Sequence, residues 1–220
     1  MSNQKKNKVK IPLSEKILLL FFIFFCCCAI FFYLVISNKC FFINNFNIND
    51  LEINKNSKII IIEAPCGKVA IKIFSELAPI NTNRIIKLIN EKHYDNSAFY
   101  KVKKNTLIET GDLIYGKKNN LNYLKVGSGG SKLSNNKTEL VIDYEFKRGS
   151  IGMVRKGQFD TENSQFFILL KDMPSLNGQF TPIGEVILGL DVLDKIKYNN
   201  TSEYVLRPDF IEKAYVYDPN

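Results

Sequence analysis

Gln165-Phe-Phe-Ile-Leu-Leu170 is an apolar, aromatic-rich run of strand length. On both sides of it the chain keeps returning to runs of this size. Ser150–Val154 precedes it, and Ala98–Val102 and Leu107–Glu109 lie earlier. Lys58-Ile-Ile-Ile-Ile-Glu63 and Lys68-Val-Ala-Ile-Lys-Ile-Phe74, separated by Ala-Pro-Cys-Gly, have a hairpin pattern. Asp209–Tyr217 reads as a final strand, and Asn177-Gly178 between apolar runs marks a tight turn. Only two helices are expected. Pro79 opens the first, with Ile85, Ile86 and Leu88/Ile89 on one stripe; the second is a short segment over Gly189–Lys197. The Gly/Asn/Lys-rich stretch Gly116–Lys137 reads as surface loop. Many short strands with two helices argue for a mainly β barrel or sandwich rather than βαβ units.

The chemistry is bounded by what the chain lacks. Its 220 residues leave room for one ordinary domain and an extension. With one histidine, His93, a multi-His metal site is excluded, and cysteine pairs at zinc-ligand spacing are absent. A Ser-His-Asp mechanism would rest on His93 alone, and its place near the end of the first helix reads as structural or exposed. Gly127-Ser-Gly-Gly-Ser-Lys132 looks superficially like a phosphate loop but lacks both the spacing and the strand–helix context. No metal and no cofactor are expected. The net charge of +8 is carried by 26 Lys and only 4 Arg, and half of it belongs to the N-terminal flank, so nucleic acid is not an expected partner.

Ile17–Ile36 reads ILLLFFIFFCCCAIFFYLVI, twenty residues without a charge. As a helix it spans about 30 Å, the thickness of a hydrocarbon core. It exceeds the apolar stretch of a cleavable signal and leaves through VISNKC, a poor cleavage match, so an uncleaved signal-anchor is favoured over a cleaved signal. Lys5, Lys6, Lys8, Lys10 and Lys16 precede the run, and Lys39 alone follows closely. The positive-inside rule then gives a single-pass type II protein. Its domain would face the secretory-pathway lumen (ER or Golgi) or the cell exterior. The expected organisation is a cytosolic basic tail (1–16), a transmembrane helix (17–36), an Asn-rich linker (37–57) and a globular domain (58–220). Cys26–Cys28 read as apolar filler. Cys40 and Cys66 read as free thiols, although an oxidising lumen permits a bridge. Sequons at Asn136, Asn199 and Asn200 carry no weight in a chain this rich in Asn.

Ser164-Gln-Phe-Phe-Ile168, preceded by Gly149-Ser-Ile-Gly-Met153 and followed by Leu176-Asn-Gly178 and Ile183–Val192, is similar to the cyclophilin-type peptidyl-prolyl isomerases. Ala78-Pro79, Tyr94-Asp95, Phe99, Gly111-Asp112 and Gly127–Gly130 extend the resemblance, which runs in unbroken order from about Lys58 to Tyr217. It implies an eight-stranded antiparallel barrel capped by two helices. It also implies isomerisation of Xaa-Pro bonds in Pro-containing polypeptide clients, with no covalent step and no cofactor. An arginine of the family supplies donors to the prolyl region, an electrostatic form of transition-state stabilisation.

Carried over by position, Gln165 matches the contact to substrate backbone and Phe167 the proline-pocket aromatic. Leu176 matches a pocket aliphatic, and Leu107 stands for the pocket methionine. Lys101 occupies the arginine's place, which keeps the charge without the planar fork. Glu109 sits where a glutamine orients that arginine, and Thr106 replaces a pocket phenylalanine. Phe180 replaces a histidine, and Val154 and Arg155 replace the small-then-Asn pair that contacts substrate backbone. Ser175 replaces the tryptophan tied to cyclosporin, so weak cyclosporin binding is expected. Lys101 and Glu109 are therefore the expected centre of a departure. They form either a compensating ion pair or a clamp that holds the lysine off the amide. The two functional expectations are an isomerase, with reduced activity, and a non-catalytic module binding Pro-containing segments of a partner.

Overall fold

Four consecutive isoleucines, Ile59–Ile62, set up the sheet. A strand buried on both faces reads as a continuous apolar run, and β1 (Ile59–Ala64) lies between two neighbours. It turns at Ala64–Gly67 into β2 (Gly67–Ile73), with Ile60 opposite Ile71 and Ile62 opposite Val69. Ile59, Ile61 and Ala70 pack together on one face and are covered by Phe46, Ile187, Tyr215 and Tyr217.

The computed structural model describes residues 12–37, 39–40, 43, 46–47 and 57–217. Most of the basic tail and of the Asn-rich linker lies outside them. Two compact units divide the chain, Met1–Phe41 and Phe42–Asn220. The first contains α1 (Leu13–Ser37), within which Leu13–Val35 includes an 18-residue stretch of mean hydropathy 3.0 and is long and apolar enough to cross a membrane. Cys26–Cys28 are free thiols on it. Cys40 and Cys66 are each disulfide-bonded, which corrects the reading of free thiols. The state of a cysteine depends on what folding brings to it, and sequence spacing does not show that.

In the second unit α2 (Pro79–Asn90) follows β2, and then come β3 (Lys101–Lys103), β4 (Leu107–Thr110), β5 (Gly116–Lys117) and β6 (Asn120–Leu121). After a long connection come β7 (Ser150–Met153), β8 (Phe166–Leu169), β9 (Pro182–Leu188), α3 (Leu190–Leu193) and β10 (Lys213–Tyr217). Eight strands in the order β10-β1-β2-β9-β7-β8-β4-β3, all antiparallel, curl into a half-barrel. Its edges are joined by the segment 203–211. That segment trades backbone hydrogen bonds with residues 96–102, as in Phe99 N to Asp209 O at 3.0 Å and Val205 N to Tyr100 O at 3.0 Å.

Strand β9 was not among the runs read as strands. It opens on a proline, and Gly184 and Glu185 interrupt its apolar pattern; pairing to β2 and β7 makes it a strand. The stretch 116–137 is less of a loop than its composition suggested, because it contains the β5–β6 ladder. The second helix is shorter than Gly189–Lys197 and continues only as turns through Ile196.

Of the expected stripe, helix α2 buries Ile85, Leu88 and Ile89, while Ile86 is only partly covered. The N-cap position of the helix is Ala78, whose methyl group cannot accept a hydrogen bond. The Glu139 carboxylate closes the gap, accepting from Ile80 N at 3.0 Å and Asn81 N at 2.9 Å, a charge-assisted cap at the positive end of the helix. Asn136, one of the sequon residues, is buried and donates to Asn81 Oδ1 at 3.0 Å. Beneath this cluster Glu162 is fully buried, its two oxygens 2.8 and 3.0 Å from Thr181 Oγ1. Burial pushes its carboxyl up to about 7, with Glu139 adding to the rise while Thr181, Arg155 and Asn81 oppose it.

The sign of the resulting pH dependence is fixed. Between about 4.5 and 7 the unfolded chain has released this proton and the folded chain holds it, so stability falls as pH rises through that window. Thermal melts of Glu162→Gln against the unsubstituted chain should therefore diverge. The variant's relative Tm should climb by about 2–8 °C from pH 4.5 to pH 8. A difference that does not change with pH would show that the carboxyl is ionised throughout.

Candidate functional site

Residues paired directly across an antiparallel sheet share a face. Lys101 pairs with Glu109, Glu109 with Phe167, Phe167 with Gly152, and Gly152 with Pro182. One row therefore crosses β3, β4, β8, β7 and β9, charged at one end and apolar in the middle. Neighbouring strands lie about 4.8 Å apart, which puts the Lys101 and Phe167 backbones roughly 10 Å apart.

The apolar part is built on an absence. A Cβ at Gly152 would stand 2.4 Å from Cζ of Phe167 and 3.0 Å from Phe146, so only glycine lets the Phe167 ring lie across β7. Phe146 packs against that ring at 5.8 Å and Phe180 meets it edge-on at 5.4 Å, both within the favourable range for aromatic pairs. Leu107, Val154, Leu176, Met173 and Tyr144 complete the cluster. Five residues named from the sequence, Phe167, Leu107, Leu176, Phe180 and Val154, thus come together. Phe146, Tyr144 and Met173 were missed; they lie in or beside loops, where no period marks a buried face. Thr106 is a turn residue whose hydroxyl donates to Lys104 O at 3.1 Å, and Ser175 is exposed on a short 3-10 turn.

The polar edge is a chain of hydrogen bonds. Lys101 Nζ is 2.9 Å from Glu109 Oε1 and 3.5 Å from Glu203 Oε2, and Glu203 also pairs with Lys103 at 3.2 Å. Burial works to lower the Lys101 pKa, but the hydrogen bond and charge of Glu109, with Glu203, outweigh it and hold the ammonium above its usual value. The other Glu109 oxygen accepts from the Tyr100 hydroxyl at 3.3 Å. That hydroxyl accepts from Gln165 Nε2 at 3.1 Å, and Nε2 also donates to Gly127 O at 3.0 Å. Carbonyl oxygens only accept, so it is Nε2 that must face Gly127.

Tyr100 was not picked out from the sequence. It is buried, and burial followed by the Glu109 charge raises its phenol well above the usual value, so it stays a neutral donor. Gly127 is placed by Asp112, a buried carboxylate that accepts from Ile114 N, Tyr115 N, Gly127 N and Gly129 N at 2.8–3.1 Å. Two N–H groups of the glycine-rich stretch, those of Gly127 and Gly129, are thus engaged by a carboxylate, a poor setting for phosphate.

Arg155 follows Val154 at the far side of the floor. Its guanidinium lies between two rings, 4.4 Å from the Phe159 centroid and 4.9 Å from that of Phe180. Its buried Nη1 has no hydrogen-bond partner. His93 is exposed beyond the end of α2, 3.3 Å from Glu91, and takes no part in the row. Among the described residues no three His, Cys, Asp or Glu side chains gather as a metal site.

The dependence of the floor on Gly152 is open to test by stability alone. Phe167 is pinned between Phe146 and Phe180, so Gly152→Ala should destabilise the domain by about 1–3 kcal/mol, read as a fall in denaturant midpoint. An unchanged midpoint would mean that the ring is free to move aside.

Comparison with known proteins places this geometry. A family model described as cyclophilin type peptidyl-prolyl cis-trans isomerase/CLD matches residues 59–216. A probable peptidyl-prolyl cis-trans isomerase of Brucella abortus is 38% identical over 161 residues, covering 70% of this chain and 80% of that one. A peptidyl-prolyl cis-trans isomerase-like protein of Gallus gallus is 29% identical, over 64% of this chain and 83% of its own. A crystal structure of a cyclophilin type isomerase from Cryptosporidium parvum superposes with a TM-score of 0.63 at 23% identity, covering 73% of this chain and 98% of that one. The row of paired residues thus stands on a cyclophilin fold, and the chain belongs to the cyclophilin-type peptidyl-prolyl cis-trans isomerase family.

Proposed function

We propose that the chain isomerises Xaa-Pro bonds of polypeptides in the secretory pathway or outside the cell, with its domain tethered by α1. The observation that carries this reading is the apolar floor around Phe167, bordered by a fixed Gln165 amide and a cationic edge. Amide resonance sets a barrier of about 18–20 kcal/mol. An apolar floor that takes the prolyl ring, with polar groups that favour the twisted amide over the planar one, lowers it without any covalent step. Gln165 Oε1 accepts a client backbone N–H, and Leu107, Val154, Leu176 and Phe180 surround the ring. Pro-containing clients are further supported by the crystal structure of the Cryptosporidium parvum relative in the presence of the dipeptide Ala-Pro.

Lys101 gives less than an arginine would. It is a strongly hydrated point charge already facing two carboxylates, which supports a reduced rate. The same clamp favours the second reading, a module that binds Pro-containing segments without turning them over. Weak cyclosporin binding goes with Ser175 in place of the tryptophan. The lumenal or external location is supported by the uncharged length of α1, by the Lys-rich flank before it, and by the disulfide state of Cys40 and Cys66, which suits an oxidising compartment.

The full chain in detergent micelles should accelerate cis-trans exchange of an Ala-Pro tetrapeptide, and Gln165→Ala should lower kcat/KM by about tenfold or more. A chain no faster than the uncatalysed reaction overturns the enzyme reading and leaves the binding module. For topology, protease added to the cytosolic face of intact membranes should spare the domain. Its digestion there would overturn the type II orientation.

A further inference from the structure

We infer that Arg155 donates to a backbone carbonyl of the bound Xaa-Pro segment and so takes over the cationic role from which Lys101 is held back. The inference rests on the proposed use of the Phe167 floor as the prolyl site. Two cations flank that floor. Lys101 stands at one end of the cross-strand row, and Arg155 follows β7 on the other side, joined to the floor through Phe180.

Their surroundings differ in a way that decides between them. The Lys101 ammonium faces Glu109 at 2.9 Å and Glu203 at 3.5 Å, so an incoming neutral carbonyl competes with two carboxylates. Arg155 holds a buried Nη1 with no acceptor. Arg84 and Arg148, by contrast, both have acceptors in the fold, Ser134 O at 2.8 Å and Leu170 O and Asp194 Oδ2 at 2.6 and 2.8 Å. An unmet buried donor is costly and rare, and a ligand that supplies the acceptor accounts for it. The nearby carboxyl, Glu162, sets both oxygens on Thr181 and supplies no acceptor to Arg155 Nη1.

The chemistry suits the task. A guanidinium is weakly hydrated, presents a planar fork and stacks on rings, and between Phe159 and Phe180 it sits in a low-dielectric setting where its hydrogen bonds are strong. Phe159 is 57% exposed and forms the outer cover, so it is the ring that yields as a client carbonyl reaches Nη1.

The test uses the full chain in detergent micelles with an Ala-Pro tetrapeptide. Arg155→Met keeps much of the apolar stem and should lower kcat/KM on the order of 100-fold, chiefly through kcat. Arg155→Lys should recover part of that loss, and Lys101→Met should cost only about threefold, the discount due to its two carboxylate partners. A larger loss at Lys101 than at Arg155 overturns the inference. A readout independent of the variants' folding is the guanidinium 15N–1H signal of Arg155, which should shift on saturation with the peptide; a signal unmoved at saturation overturns the inference as well. If the unsubstituted chain proves catalytically silent, the isomerase reading alone fails, and peptide affinity decides the role of Arg155. A loss of about tenfold or more in Arg155→Met then supports it, and unchanged affinity overturns it.

Discussion

The Phe167 ring lies across the backbone of β7 at Gly152, and most of the site follows from that contact. Because no Cβ intervenes, the ring drops low enough to meet Phe146 on one side and Phe180 on the other. Phe146 stacks edge-on with Tyr144 at 5.0 Å, and Tyr144 with Phe74 at 5.6 Å, so the floor is part of an aromatic ladder that reaches the turn after β2. In the other direction the ladder passes through Phe180 to Arg155 and Phe159. A floor tied into the packing of the sheet is rigid, and rigidity is what a surface needs if it is to favour one amide geometry over another.

The polar side depends on a different constraint, the fourfold use of Asp112. By accepting from backbone N–H groups on both flanks of the long 113–129 stretch, it fixes where Gly127 O points. Gly127 then orients Gln165, Gln165 and Tyr100 orient each other, and Tyr100 steadies the carboxylate that holds Lys101. This chain is anchored at each step by a group with little freedom, a buried carboxylate, a backbone carbonyl or a buried phenol. Such networks resist piecemeal change, because removing one member leaves its neighbours unsatisfied in a poorly hydrated setting.

Legibility in the sequence followed the range of each interaction. The isoleucine run of β1, the stripe of α2 and the runs that became β4, β7 and β8 were visible because their patterns are local. Strand β9 was not, since only pairing to β2 and β7 overrides its proline and glycine. The floor residues were named by resemblance to a family, not by periodicity: Leu107, Val154, Phe167, Leu176 and Phe180 lie on four separate stretches, and nothing in their spacing says that they meet. Tyr100 and Phe146 escaped even that, as did the disulfide state of Cys40 and Cys66. The Lys101–Glu109 pairing also followed from the resemblance, but Glu203, the second carboxylate on Lys101, arrives from a segment about a hundred residues away.

That distant carboxylate bears on the proposed division of labour between the two cations beside the floor. Replacing a guanidinium by an ammonium at position 101 leaves a more compact charge, and the fold surrounds it with two acidic groups. Local electrostatics there favour a structural ion pair over a donor held ready for a client. Across the floor, the substitution at 155 places the opposite arrangement, a guanidinium among rings with a donor unmet. Transition-state stabilisation of a twisted amide asks for a preorganised donor at a suitable place, not for a particular strand to carry it. On the proposed reading, the groups for such chemistry stand on the two sides of Phe167, in a chain with one exposed histidine and no gathered metal ligands among its described residues.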